Sequence, residues 1–172
     1  MHSKEFLDWL RLYRHDLMND LQLVQGYASM GKHDKSKEKL NNLIERLNRE
    51  RKLQTLNAPE FVRWLLTINL EENHLALSFT VEGDSNESVI FNDIEMKNDG
   101  EQLVRKINSY LSEFDQYIVH VIIKHQENWQ VIYEWPKQLE QHDSLMEAIH
   151  HMTNCQEINQ TEEMIQFVFH YR

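Results

Sequence analysis

From Phe6 to Ala28 the chain runs without proline and sets apolar residues at helical spacing: Phe6, Leu10, Tyr13, Leu17, Leu21, Val24 and Ala28, flanked by Trp9 and Tyr27. At roughly 100° per residue these positions form one stripe, which predicts a helix over about Ser3 to Met30 with a single side that must leave water. Gly31 ends it, as glycine does past a helix C-terminus. After the short loop Gly31-Lys32-His33, Asp34 is expected to cap a second helix reaching Gln54, with Leu40, Leu43, Ile44 and Leu47 at the same period. So short a loop makes the pair an antiparallel hairpin. Two helices cannot enclose this much apolar surface, when each large side chain stabilises by roughly 1.5–3 kcal/mol on full burial. The expected solution is a two-fold homodimer in which two hairpins form a four-helix bundle. Packing against the chain's own C-terminal part is the monomeric alternative.

Charge supports a division into two modules. Residues 1–56 carry 11 Lys/Arg against 8 Asp/Glu, a net of +3, while residues 57–172 carry 7 against 20, a net of −13. The overall −10 argues against a nucleic-acid partner, and the mildly basic first module is suited to an acidic protein partner. The N-terminal residues have no apolar run, so no signal peptide is expected. The longest mostly apolar run, Tyr117 to Ile123, is far short of the roughly 20 residues of a membrane span. A single cysteine, Cys155, fits a reducing cytoplasm and reads as a small packing residue.

The second module, 57–172, reads as α+β. Pro59 opens a short helix containing Phe61, Trp64, Leu65 and Ile68. Leu75 to Val81 alternates as a strand does. Residues 83–99 are rich in Asp, Asn and Ser and read as mostly loop, with a short strand at Val89-Ile90-Phe91. Gly100 to Phe114 reads as a helix through Leu103, Ile107 and Leu111, with Asp99-Gly100 as its initiating turn. Tyr117–Lys124 and Trp129–Trp135 form an expected hairpin, followed by a helix near Leu139–Met152 and a last strand, Met164–Tyr171.

The candidate chemistry lies on the first helix. With His15 at zero on the helical wheel, Phe6 and Val24 fall near 180°, and Tyr13 and Leu17 within about 20° of that. His15 is therefore displayed opposite the apolar stripe, among Asp8, Arg11, Asn19 and Gln22, with Leu12, Met18 and Leu23 at the shoulders. A polar centre with apolar shoulders suits protein docking. Neutral imidazole is nucleophilic near pH 7, and phosphoryl transfer asks mainly for in-line positioning and charge stabilisation. Arg11 or Arg14 can offset phosphoryl charge. Asp16 is expected to hold the far ring nitrogen and set the tautomer, while Asn19 and Gln22 can bond the phosphoryl group or a partner. On spacing alone, a solvated surface histidine is the commoner outcome.

The stretch Arg14-His15-Asp16-Leu17-Met18-Asn19-Asp20-Leu21-Gln22-Leu23-Val24-Gln25-Gly26 closely resembles the phosphoacceptor helix of the sporulation initiation phosphotransferase B family. Its pattern Arg-His-Asp-x-x-Asn-x-Leu-Gln is also similar to that of citrate- and fumarate-type sensor histidine kinases. The short hairpin, the junction from Lys52-Leu53 to Pro59 and the α+β module fit the same family, the last in outline more than in residues. The resemblance implies that His15 accepts a phosphoryl group from the aspartate of one response regulator. It then passes the group to a second regulator that controls sporulation initiation. It also implies a cytoplasmic homodimer with no cofactor of its own, the regulators supplying Mg²⁺.

The resemblance further implies an α/β sandwich related to a histidine-kinase ATP-binding domain, so an ATP-dependent kinase fragment is a competing reading. Such domains use two glycine-rich boxes that let backbone approach phosphate. Here only Gly83 and Gly100 fall in the second module, and Asn108 has no recognisable companion box. The expectation is a degenerate domain without ATP chemistry. A non-catalytic dimeric module that binds a response regulator is the alternative from another class. His120, His125, His150 and His151 form no His-Glu-x-x-His spacing, so no metal site is expected. Trp9, Trp64, Trp129 and Trp135 read as packing residues.

Overall fold

The computed structural model describes residues 3–71, 75–83, 93–110, 117–125, 128–136 and 143–171. It divides into two compact units, Met1–Arg51 and Lys52–Arg172. The second unit starts at Lys52, and Leu53 and Leu56 are buried in its core.

The first unit is a hairpin of α1 (Ser3–Ser29) and α2 (His33–Leu53). Gly31, at φ 71°, closes α1: its N–H bonds Ala28 C=O at 3.0 Å and Lys32 N–H bonds Tyr27 C=O at 2.9 Å. Those two bonds are the Schellman pattern that satisfies the last carbonyls of a helix. Asp34 lies within the first turn of α2, where its charge favours the helix dipole, and the cap position is Lys32.

Contacts between the helices run in opposite directions along the two chains, which makes the hairpin antiparallel. Ser36 Oγ donates to Val24 C=O at 2.9 Å, Lys39 Nζ meets Asp20 at 3.6 Å, Arg46 meets Asp20 and Asp16 at 3.1 Å each, and Tyr13 donates to Glu50 at 2.7 Å. The side of α1 that meets α2 is thus carried by Tyr13, Asp16 and Asp20. The expected apolar stripe is only half covered: Leu10, Tyr13, Leu17 and Val24 are half-buried, whereas Phe6, Leu21 and Ala28 remain exposed. Two helices meet along one line, and polar residues occupy much of it.

The second unit places α3 (Pro59–Glu71), α4 (Asp93–Asn108) and α5 (Asp143–His150) with a five-stranded sheet. The strands are β1 (Leu75–Glu82), β2 (Tyr117–His125), β3 (Trp129–Pro136), β4 (Cys155–Gln160) and β5 (Met164–Tyr171), in the order β1-β2-β3-β5-β4. Only β1 and β2 pair in parallel, with α4 between them in the chain, and the other pairs are antiparallel. Register aligns Phe79, Val121, Tyr133, Phe167 and Ile158 across all five strands, and the first four are buried. The opposite face carries Ser78, His120, Glu134, Gln166 and Asn159 in one row. Cys155, Trp64, Trp129 and Trp135 are buried, as their packing role requires.

Two expectations are corrected here, and one strand is added. The stretch expected as loop up to Asp99 is already helical from Asp93, so Asp99-Gly100 lies inside α4 and not at its start. Gly100 abuts the Trp64 ring, and a Cβ there would also lie 2.8 Å from Tyr133 Oη. Its bare backbone is thus what lets helix and sheet approach, and the glycine is a packing residue. Strand β4 lacks the alternation that would announce it, because as an edge strand it buries only Cys155 fully. The proposed strand at 89–91, the helical positions Leu111 and Phe114, and residues 139–142 lie outside the described residues.

Candidate functional site

The polar face of α1 presents His15 to solvent. One helical turn further on, Asn19 places its amide Nδ2 3.2 Å from His15 Nδ1. The i, i+4 spacing stacks the two side chains on one face, which is why the contact forms within a single helix. With the amide in this orientation Nδ1 accepts and the ring proton sits on Nε2. Turning the amide by half a rotation offers its oxygen to an Nδ1 proton and frees the Nε2 lone pair. Asn19 therefore engages the near nitrogen in either tautomer and leaves Nε2 free of that contact.

Beside the ring, Leu7, Leu10, Arg11, Arg14, His15 and Met18 line an open trough of about 470 Å³. Its floor is apolar, and its rim carries two guanidinium groups and one imidazole. Arg11 pairs with Asp8 at 3.3 Å, both well exposed, which holds the guanidinium by only tenths of a kcal/mol. Arg14 is exposed on the same rim. Gln22 is exposed two turns beyond His15.

Asp16 does not serve the ring. Its carboxylate accepts from Arg46 Nη1 at 3.1 Å across the hairpin. Arg46 Nη1 also meets Asp20 at 3.1 Å, and its Nε lies 3.7 Å from Glu50. Tyr13 donates to the same Glu50 carboxylate and stacks on Trp9 with ring centroids 5.3 Å apart. Burial first, and then the bond to Glu50, push the Tyr13 hydroxyl up to about 12. Asp16 points to α2 because, at about 100° from His15 on the wheel, it sits beside the α2-facing side of α1.

His15, Arg11, Arg14, Asn19 and Gln22 are all exposed on α1, as the helical period predicts, whereas Asp16 is bonded to Arg46 rather than to the ring. The sequence did not reveal the Arg46 node, whose α1 partners Asp16 and Asp20 lie far from it in the chain. Leu10 reads in sequence as part of the apolar stripe and Leu7 carries no signal of its own, so neither announces the trough. Among the described residues no group of three or more His, Cys, Asp or Glu side chains is placed to hold a metal ion, and no helix is long and apolar enough to cross a membrane. Burial raises the Cys155 thiol to about 11, which keeps it protonated and unreactive.

Residues 1–56 match the family model described as sensor kinase SpoOB-type, alpha-helical domain. Sporulation initiation phosphotransferase B of Bacillus subtilis (strain 168) is 32% identical over 82 residues, which is 48% of this chain and 43% of that relative. The match thus spans less than half of the relative's length. A histidine kinase solved in complex with a response regulator protein superposes with a TM-score of 0.42 at 12% identity, covering 99% of this chain and 64% of that one. That likeness is loose and does not establish a shared fold. The likeness to the SpoOB-type family is thus carried by the helical hairpin.

Proposed function

We propose that this chain is a phosphorelay phosphotransferase. On this reading His15 takes a phosphoryl group from the aspartate of one response regulator and hands it to the aspartate of a second, which controls sporulation initiation. The observation that carries the reading is an exposed His15 whose Nδ1 is engaged by Asn19, beside an Arg-rimmed trough, on a SpoOB-type hairpin.

In the forward step the Nε2 lone pair forms a P–N bond while the acyl P–O bond to the donor aspartate breaks, its electron pair leaving with the carboxylate. The Nδ1 proton stays on the ring, facing the Asn19 amide oxygen, and spreads the positive charge. The second step reverses this: the acceptor carboxylate forms the new P–O bond and the electron pair returns to Nε2. Such a loose transition state needs positioning and charge balance more than covalent help. Arg14 and Arg11 supply the nearby positive charge, and Gln22 extends the polar surface toward the partner. The regulators bring the Mg²⁺.

A homodimeric four-helix bundle belongs to the same proposal. Phe6 and Leu21 on α1, and Leu40 and Ile44 on α2, are exposed in the single hairpin. A second copy would cover them, at roughly 1.5–3 kcal/mol for each side chain fully buried. The second unit then keeps the outline of a kinase ATP-binding domain without its chemistry, and the protein acts in the cytoplasm.

The test is direct. A single-domain response regulator charged with acetyl phosphate is incubated with the chain, which should acquire acid-labile, base-stable phosphate. The His15→Ala variant should stay at background. No label on the natural chain, or equal label on the variant, would refute the proposal.

A further inference from the structure

Gly26 lies inside α1, where glycine is among the least favourable residues, second only to proline. A tight turn, a left-handed conformation or close packing ordinarily accounts for such a glycine. None does here: its φ is not positive, Met30 N–H bonds its carbonyl in ordinary helical fashion at 3.1 Å, and a Cβ built on it meets nothing within 4 Å. Gly100 is the contrast within the same chain, since its missing side chain is explained by the Trp64 ring. Nothing in the described chain uses the bare backbone at Gly26.

Its position indicates what does. Gly26 falls about 20° from His15 on the helical wheel, three turns further along, so the two share one face about 16 Å apart. Phe6, Leu17, Leu21 and Val24, the side a second copy would cover, lie roughly 140° or more away. Around Gly26 the surface is a notch: Leu23 and Met30 rise on one side, both about half exposed or more, and Gln22 on the other.

We infer that this notch is the far end of the docking surface for the response regulator that exchanges phosphate with His15, and that a backbone segment of the regulator crosses α1 there in close contact. The inference rests on the proposed phosphotransfer. A domain of about 100 residues has a radius of gyration near 13 Å, so one regulator seated over His15 reaches Gly26. Leu23 and Met30 give that contact an apolar rim, as protein interfaces have. A side chain at position 26 would hold the regulator off the helix and displace its aspartate from Nε2.

Gly26→Ala and Gly26→Leu are compared with the natural chain, using a single-domain regulator charged with acetyl phosphate as donor. Both variants should melt a few degrees higher, because helix propensity rises. Transfer should fall about 100-fold for Gly26→Leu, as expected for misplacement of reacting groups on the order of 1 Å, with a smaller loss for Gly26→Ala. Labelling of His15 by phosphoramidate, which needs no docking, should be unchanged, and so should the mass by light scattering. Undiminished transfer in Gly26→Leu would overturn the inference, as would loss of the oligomer in that variant, which would assign the notch to a second copy. Failure of the natural chain itself to transfer would instead sink the proposed function.

Discussion

Two tyrosines of the second unit converge on one buried carboxylate, and removing their hydroxyls should have different consequences. Tyr171 Oη donates to Asp99 Oδ2 at 3.0 Å, beside Asn154 Nδ2 at 2.7 Å. Tyr133 is fully buried, and its hydroxyl has no hydrogen-bond partner among the described residues. Burial, with the Asp99 charge adding to it, raises both phenols far above their ordinary value, so both stay protonated at any ordinary assay pH. In Tyr171→Phe a bond to a charged acceptor is lost while Asp99 stays buried, which costs about 1.5–3 kcal/mol. In Tyr133→Phe a hydroxyl that folding strips of water without replacement is removed, and the outcome should lie between neutral and about 1 kcal/mol more stable. The two variants should therefore differ by about 1.5–4 kcal/mol in urea unfolding followed by tryptophan fluorescence, with similar m-values. The tryptophans Trp64, Trp129 and Trp135 are buried in this unit and report on its core directly. A Tyr133→Phe protein destabilised as much as Tyr171→Phe would refute the reasoning, because the Tyr133 hydroxyl would then be making a bond of comparable worth.

Gly100→Ala should destabilise the second unit by about 1–2 kcal/mol, since crowding against Trp64 and Tyr133 outweighs the gain of about 1 kcal/mol in helix propensity. An unchanged or higher urea midpoint would contradict it. Tyr13 titrates at about 12 in the folded hairpin against about 10 when unfolded, so its contribution to stability is complete below pH 10 and is lost as pH rises through 12. Tyrosinate absorbance of the natural chain minus that of Tyr13→Phe should show this late titration, and a midpoint near 10 would contradict it.

Much of the architecture is written locally. The apolar period of α1 and α2, the stop at Gly31, the start at Pro59 and the alternation of β1, β2, β3 and β5 all depend on residues within a few positions of one another. Display of His15 with Asn19 one turn away follows from the same periodicity, and so the accessible face of the candidate site was legible before any coordinates. Tertiary structure decided what lies across the chain. Asp16 turns to Arg46, and its neighbourhood to His15 in sequence was no guide to that partner. Asp93 begins α4, yet its carboxylate accepts from the N–H groups of Glu60 and Phe61 at 2.6 and 3.3 Å, and so caps the first turn of α3. Asp99-Gly100 becomes the buried middle of a helix, and a polar edge segment becomes β4 because β5 offers it a partner. Periodicity states which side of an element is apolar, but a charged or polar side chain takes whichever partner the packing brings within reach. That choice is made only when distant segments meet.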